Sequence, residues 1–130
     1  MFVDASAIVA ILLDETDGRE LAMRLEAADA AFTSPIAIYE ATLAVSREHK
    51  VKIPLAESRV RRLASDAGVV VSPIGDEVAS LALVAQAKFG KRSGHPARLN
   101  MGDCFAYAMA RQHNVPLLYK GDDFALTDLA

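Results

Sequence analysis

Apolar residues recur along the chain in two rhythms: short β-branched or aromatic runs, and longer stretches with helical spacing. Phe2 and Val3 begin a strand that ends at Asp4, and Ser6 can cap a helix carrying Ile8, Val9, Ile11 and Leu12. Asp17 to Ala28 places Leu21 and Leu25 on one face, as an amphipathic helix does. Ala31-Phe32-Thr33 reads as a short strand. Ser34-Pro35 then supplies a cap and a proline at the first helical position, predicting a helix to about Lys50. Pro54 opens another helix with Val60 and Leu63, closed by Gly68. Val69-Val70-Val71 is the clearest strand, and Asp76 to Phe89 is helical. Gly90 to Leu99 is a loop containing Gly, Pro and Arg. Asn100 caps a helix through Phe105, Tyr107 and Met109 that ends near His113-Asn114. Val115 to Tyr119 forms the last strand, before the turn Lys120-Gly121-Asp122-Asp123.

Strands alternating with helices predict an α/β fold whose parallel sheet is covered on both faces. Residues 1–130 suit one domain, and with 52% hydrophobic residues they can fill a core. Ala dominates that fraction and favours close helix packing. A single cysteine, Cys104, excludes an internal disulfide and suits a reducing cytoplasm. No signal-peptide pattern is present, and no apolar run approaches the ~20 residues that span a bilayer. The expectation is a cytoplasmic protein with no membrane partner.

In such folds, sites form beyond the carboxyl ends of the strands. Asp4 and the Asp122-Asp123 pair fall at such ends. Glu40 is less expected: its helical neighbours Ile36, Ala37, Leu43 and Ala44 are apolar and should carry it toward the core, where an unpaired charge is costly. An arginine partner or a turn to the surface would also accommodate it. Asp103 lies in the first turn after Asn100, where an acid meets the helix dipole favourably. Leu99, Ala106 and Tyr107 also flank it at helical spacing, which would turn it inward. Asp4, Glu40, Asp103 and one of Asp122 or Asp123 sit on four separate elements that one sheet edge could gather. Converging carboxylates repel one another, and a divalent ion removes the conflict. Oxygen donors without Cys or His select Mg²⁺ or Mn²⁺ over zinc. His49, His95 and His113 lack metal-pair spacing. The net charge of −3 disfavours a nucleic-acid partner, but setting four site carboxylates aside moves the remainder to +1.

Val3-Asp4-Ala5-Ser6-Ala7, Tyr39-Glu40, the segment from Leu99 to Ala108 and the segment from Leu118 through Asp128 together resemble a PIN domain, more narrowly a VapC-type toxin of a toxin–antitoxin pair. The resemblance covers the whole chain. It implies an α/β/α sandwich with a central, mainly parallel sheet, Mg²⁺- or Mn²⁺-dependent RNA cleavage, an antitoxin partner and a homodimer. The family's first three acids map onto Asp4, Glu40 and Asp103. Asp123, directly before Phe124, is preferred as the fourth, with Asp122 as the alternative. Gly121 stands where many PIN domains carry an Asp. Ser6 and Thr127 look like hydroxyls that hold ligands or a water.

The expected chemistry is phosphodiester hydrolysis in which water attacks phosphorus, the 3′ oxygen leaves and a 5′ phosphate remains. Asp4 and Asp103 would bind the metal directly, with Glu40 and Asp123 completing its shell. Lys91, Arg92, His95 and Arg98 precede the Asp103 helix and could reach RNA phosphates, or they are solvated surface charge. Arg59, Arg61 and Arg62 form a second basic group, read as solvated. Two alternatives remain: a PIN-like module that binds RNA or protein without cutting, and a phospho-acceptor receiver-like domain. The second normally wants its acidic pair after the first strand, where Asp4 stands alone.

Overall fold

Four short strands lie between helices in the computed structural model, which describes all 130 residues. They are β1 (Phe2–Val3), β2 (Ala31–Thr33), β3 (Val69–Val71) and β4 (Leu117–Leu118). All pairings are parallel, in the order β3-β2-β1-β4. Phe2 pairs with Phe32 on one side and Leu117 on the other, and Val3 pairs with Leu118. Both residues of β1 and both of β4 are buried, as expected of a parallel sheet covered on two faces.

Six helices complete the fold: α1 (Ala5–Leu12), α2 (Gly18–Glu26), α3 (Pro35–His49), α4 (Ile53–Asp66), α5 (Asp76–Phe89) and α6 (Met101–Gln112). The chain steps outward from β1 to β2 to β3, then returns to place β4 on the other flank of β1. Right-handed crossovers therefore put α1 to α4 over one face and α5 and α6 over the other. The packing agrees: α1 touches α2, α3 and α4, while α5 lies along α6. The result is an α/β/α sandwich. Small buried residues, among them Ala41, Ala56, Ala82, Ala85, Ala106 and Ala110, let these layers approach closely. No helix is long and apolar enough to cross a membrane.

Most element boundaries follow local chemistry. Ser34 caps α3 by accepting from the Ala37 amide at 3.1 Å, with Pro35 behind it. Gly68, with φ of +70°, closes the turn after α4. Two expectations change. The cap of α1 is Asp4, not Ser6: the Asp4 carboxylate accepts from the Ser6 amide at 3.0 Å, and Ser6 is already helical. The last strand is Leu117–Leu118 rather than Val115 to Tyr119. The Val115 amide bonds back to Ala110, Pro116 has no N–H to give, and the Lys120 amide turns to the Ser6 hydroxyl.

The switch in chain direction falls between β1 and β4, so their carboxyl ends open the crevice where α/β folds place their sites. The Asp4 amide donates to the Leu118 carbonyl at 3.0 Å, which fixes the two strand ends together.

Candidate active site

Asp4 leaves β1 at this crevice and is only 5% exposed. Its carboxylate accepts from the Ser6 amide and from the Ser6 hydroxyl, the latter at 2.5 Å. Ser6 Oγ in turn accepts from the Lys120 amide at 3.0 Å, so one hydroxyl joins the first acid to the loop after β4. Burial raises the Asp4 carboxyl above its ordinary value; the Ser6 bonds oppose this and the charge of Asp123 adds to it.

Asp103 enters from the first turn of α6. It forms a reciprocal capping box with Asn100: its amide donates to Asn100 Oδ1 at 2.8 Å, and its carboxylate accepts from the Asn100 amide at 3.0 Å. The box orients this acid while leaving it able to accept further contacts. Its carboxyl is pushed up to about 6, mainly by burial, with Asp4 and Asp123 adding and Lys91 opposing.

Glu40 does not reach the core. The buried face of α3 is Ala37, Ile38, Ala41, Thr42 and Val45, and Glu40 lies one step off it. It is half-buried on the flank of a groove of about 610 Å³ bounded by Pro35, Ile36, Leu43 and Met101. Burial, then the charges of Asp4 and Asp103, push its carboxyl up to about 7. Of the apolar neighbours foreseen from the sequence, Ile36, Leu43 and Ala44 are therefore groove walls and only Ala37 belongs to the core, while the carboxylate lies against the start of α6.

Asp123 is exposed, yet its charge acts on both Asp4 and Asp103; Asp122 acts on neither. Phe124 anchors this turn, 1% exposed and packed against Tyr119 with ring centroids 5.2 Å apart.

Asp4, Glu40, Asp103 and Asp123 thus come from four elements into one mutually repelling electrostatic neighbourhood. None of the ion pairs in the molecule involves them. No three of these donors close into a ready ion cage. The donor set nonetheless fits a hard divalent cation that retains several waters: all donors are carboxylate oxygens, and none is held in an ion pair. Mg²⁺ is ordinarily held in that way, through one or two carboxylates rather than an all-protein shell.

The remaining sequence candidates have other placements. Thr127 Oγ1 donates to the Phe124 carbonyl at 2.8 Å and accepts from the Leu129 amide at 3.1 Å, so it builds the C-terminal turn. His95 packs edge-on against Phe89, and its Nδ1 accepts from the Ala97 amide, which commits it to the loop. Lys91, Arg92 and Arg98 are exposed on that loop, and Lys91 alone among the four acts on an acid. Arg59 meets the His49 ring at 2.8 Å, Arg61 pairs with Glu57 and Arg62 with Asp66, so this basic group is a helix-surface network. His113 packs against Phe32 with the two rings tilted by 55°.

Two features were passed over in the sequence. The Glu15–Lys120 ion pair joins the end of the first helical segment to the loop after β4 across 105 positions, and no local pattern announces it. Gly102 sits inside the first turn of α6, where glycine is a poor helix former; that mismatch was the available signal.

A doubly wound α/β protein with an acidic site at the carboxyl edge of its sheet is the class these features define. Residues 1–129 match the family model for the PIN domain, and the chain belongs to that family. The chain is 41% identical over 127 residues to ribonuclease VapC28 of Mycobacterium tuberculosis, covering 98% of this chain and 93% of that protein. Its fold is similar to the crystal structure of Mycobacterium tuberculosis VapC20, a sarcin-ricin-loop-cleaving toxin. The TM-score is 0.75 at 16% identity, covering 99% of this chain and 95% of that one. A toxin–antitoxin complex from Klebsiella pneumoniae also shares the fold, with a TM-score of 0.69 at 18% identity over 95% and 89% of the two chains. The receiver-like alternative is set aside by this membership.

Proposed function

We propose that this chain is an endoribonuclease, the toxin of a toxin–antitoxin pair, and that its 130 residues work as one PIN unit. The observation that carries the reading is the gathering of Asp4, Glu40, Asp103 and Asp123 from separate elements with no ion-pair partner. Family membership and the near full-length likeness to a ribonuclease support RNA as the substrate.

Asp4 and Asp103 would hold a divalent cation, Mg²⁺ or Mn²⁺, with Glu40 and Asp123 completing the shell or acting through waters. Bound there, such an ion supplies activation of water and charge compensation on phosphate. The chain's own contributions are positional. Ser6 fixes the rotamer of Asp4 and the approach of the β4 loop. The capping box with Asn100 fixes Asp103. Lys91, exposed beside the Asp103 helix, can meet a phosphate of the RNA backbone.

The partner is a cognate antitoxin protein, in keeping with the toxin–antitoxin complex that shares the fold. A homodimer is the further assembly we assign, supported by the exposed apolar side chains of Tyr39, Leu83 and Met101. A cytoplasmic location fits a substrate that resides there and a lone buried thiol at Cys104.

The test is Asp4→Asn in purified, antitoxin-free protein. The amide keeps an oxygen for the Ser6 bonds, so the fold persists while Mg²⁺- or Mn²⁺-dependent RNA cleavage is abolished. Cleavage by this variant at the wild-type rate would refute the assignment of Asp4.

A further inference from the structure

Gly102 occupies the first turn of α6 and is buried, next to Asp103. Its backbone does not require glycine, since it is regular helix and its φ is not positive. Its surroundings do. A Cβ built on Gly102 would fall on the Glu40 carboxylate, and both oxygens and the carboxyl carbon of Glu40 are the nearest atoms it would meet. The Glu40 carboxylate therefore rests in the space that the missing side chain leaves. α3 and α6, which lie on opposite faces of the sheet, touch at this end of the molecule. What a methyl group would displace is the tip of a flexible side chain, not backbone, so the fold can absorb alanine by moving Glu40.

We propose that Gly102 is a positioning residue for the site: its bare Cα seats the Glu40 carboxylate against the start of α6, beside Asp103. This rests on the reading of Glu40 as a site acid. Gly102 has no side chain to offer RNA or the reacting atoms, and it acts through where it lets Glu40 sit. A glycine kept solely for packing of α6 would show no dependence on Glu40.

The experiment compares wild type, Gly102→Ala, Glu40→Ala and the double variant as full-length, antitoxin-free protein. Three quantities are measured: Mn²⁺ affinity by calorimetric titration without RNA, RNA cleavage, and the melting temperature without metal. Gly102→Ala should weaken Mn²⁺ binding by about 10- to 100-fold, the range seen when support of a metal ligand is lost. The double variant should be no worse than Glu40→Ala in either binding or cleavage. With Glu40 truncated, alanine at 102 should raise the melting temperature, because alanine is the better helix former. Wild-type Mn²⁺ affinity and cleavage in Gly102→Ala, beside a disabled Glu40→Ala, would overturn the proposal. So would losses from the two changes that multiply in the double variant. Should Gly102→Ala fail to fold, refolding in the double variant supports the proposal and persistent unfolding overturns it. If Glu40→Ala itself leaves binding and cleavage intact, it is the reading of Glu40 as a site acid that fails.

Discussion

Replacing Glu40 by Gln should stabilise the metal-free protein while disabling it. The fold raises the Glu40 carboxyl from its ordinary 4.5 to about 7, through burial and the charges of Asp4 and Asp103. A raised acid is favoured in its protonated form by the folded state, so its contribution to stability is fully present below 4.5. It is lost as pH climbs through about 7. At about 1.4 kcal/mol per pH unit, that interval corresponds to about 3 kcal/mol for a fully enclosed group. Glu40 is half-buried on an open groove, and solvent screening reduces the figure to roughly 1–2 kcal/mol. An unfolding entropy of about 2.1 cal/mol/K per residue makes each kcal/mol worth about 4 °C for a chain of 130 residues. Glu40→Gln without metal should therefore melt about 4–7 °C above wild type at about pH 8, and close to it at about pH 5, where the wild-type carboxyl is already protonated. Scanning calorimetry of chelator-treated protein at both pH values measures this. Adding Mn²⁺ should raise the wild-type melting temperature more than that of Glu40→Gln, because only the wild type keeps the full acid set. A gap that stays constant between the two pH values, or a variant that melts below wild type at the higher one, would refute the electrostatic reasoning.

Other expectations follow from the same geometry. Asp123→Asn should reduce metal-dependent cleavage and Asp122→Asn should leave it near wild type, because only Asp123 acts on Asp4 and Asp103; parallel rate measurements decide it. Phe124→Ala should cost about 3–5 kcal/mol of stability, read by urea unfolding, because it empties a fully buried ring site under the Asp123 turn. Lys91→Ala should weaken RNA binding and lower the salt slope of log K by about 0.7, the value for one contact to single-stranded backbone, in filter-binding titrations across salt concentrations.

Local chemistry in the sequence determined much of the scaffold. Ser34-Pro35, Gly68 and Asn100 mark their helix boundaries because capping bonds and turn geometry act over a few residues, and each works that way here. Strand candidates around Phe2, Phe32, Val70 and Leu117 were legible as short apolar runs; burial on both faces accounts for those of β1 and β4, whereas Val70 on the edge strand β3 is exposed. The residue types also marked Asp4, Glu40, Asp103 and the Asp122-Asp123 pair as worth explaining. Tertiary structure alone decided how these acids relate. Whether Glu40 enters the core or lines a groove depends on which side of α3 the neighbouring helices cover, and helical spacing cannot resolve a one-step offset. That the charge of Asp123 acts on Asp4 and Asp103 depends on a short turn anchored by Phe124. The Ser6–Lys120 link and the Glu15–Lys120 pair arise because β1 and β4 lie side by side despite their distance along the chain. Electrostatic coupling among carboxylates, and the space that Gly102 leaves for one of them, depend on distances through space, which exist only once the sheet has brought its strand ends together.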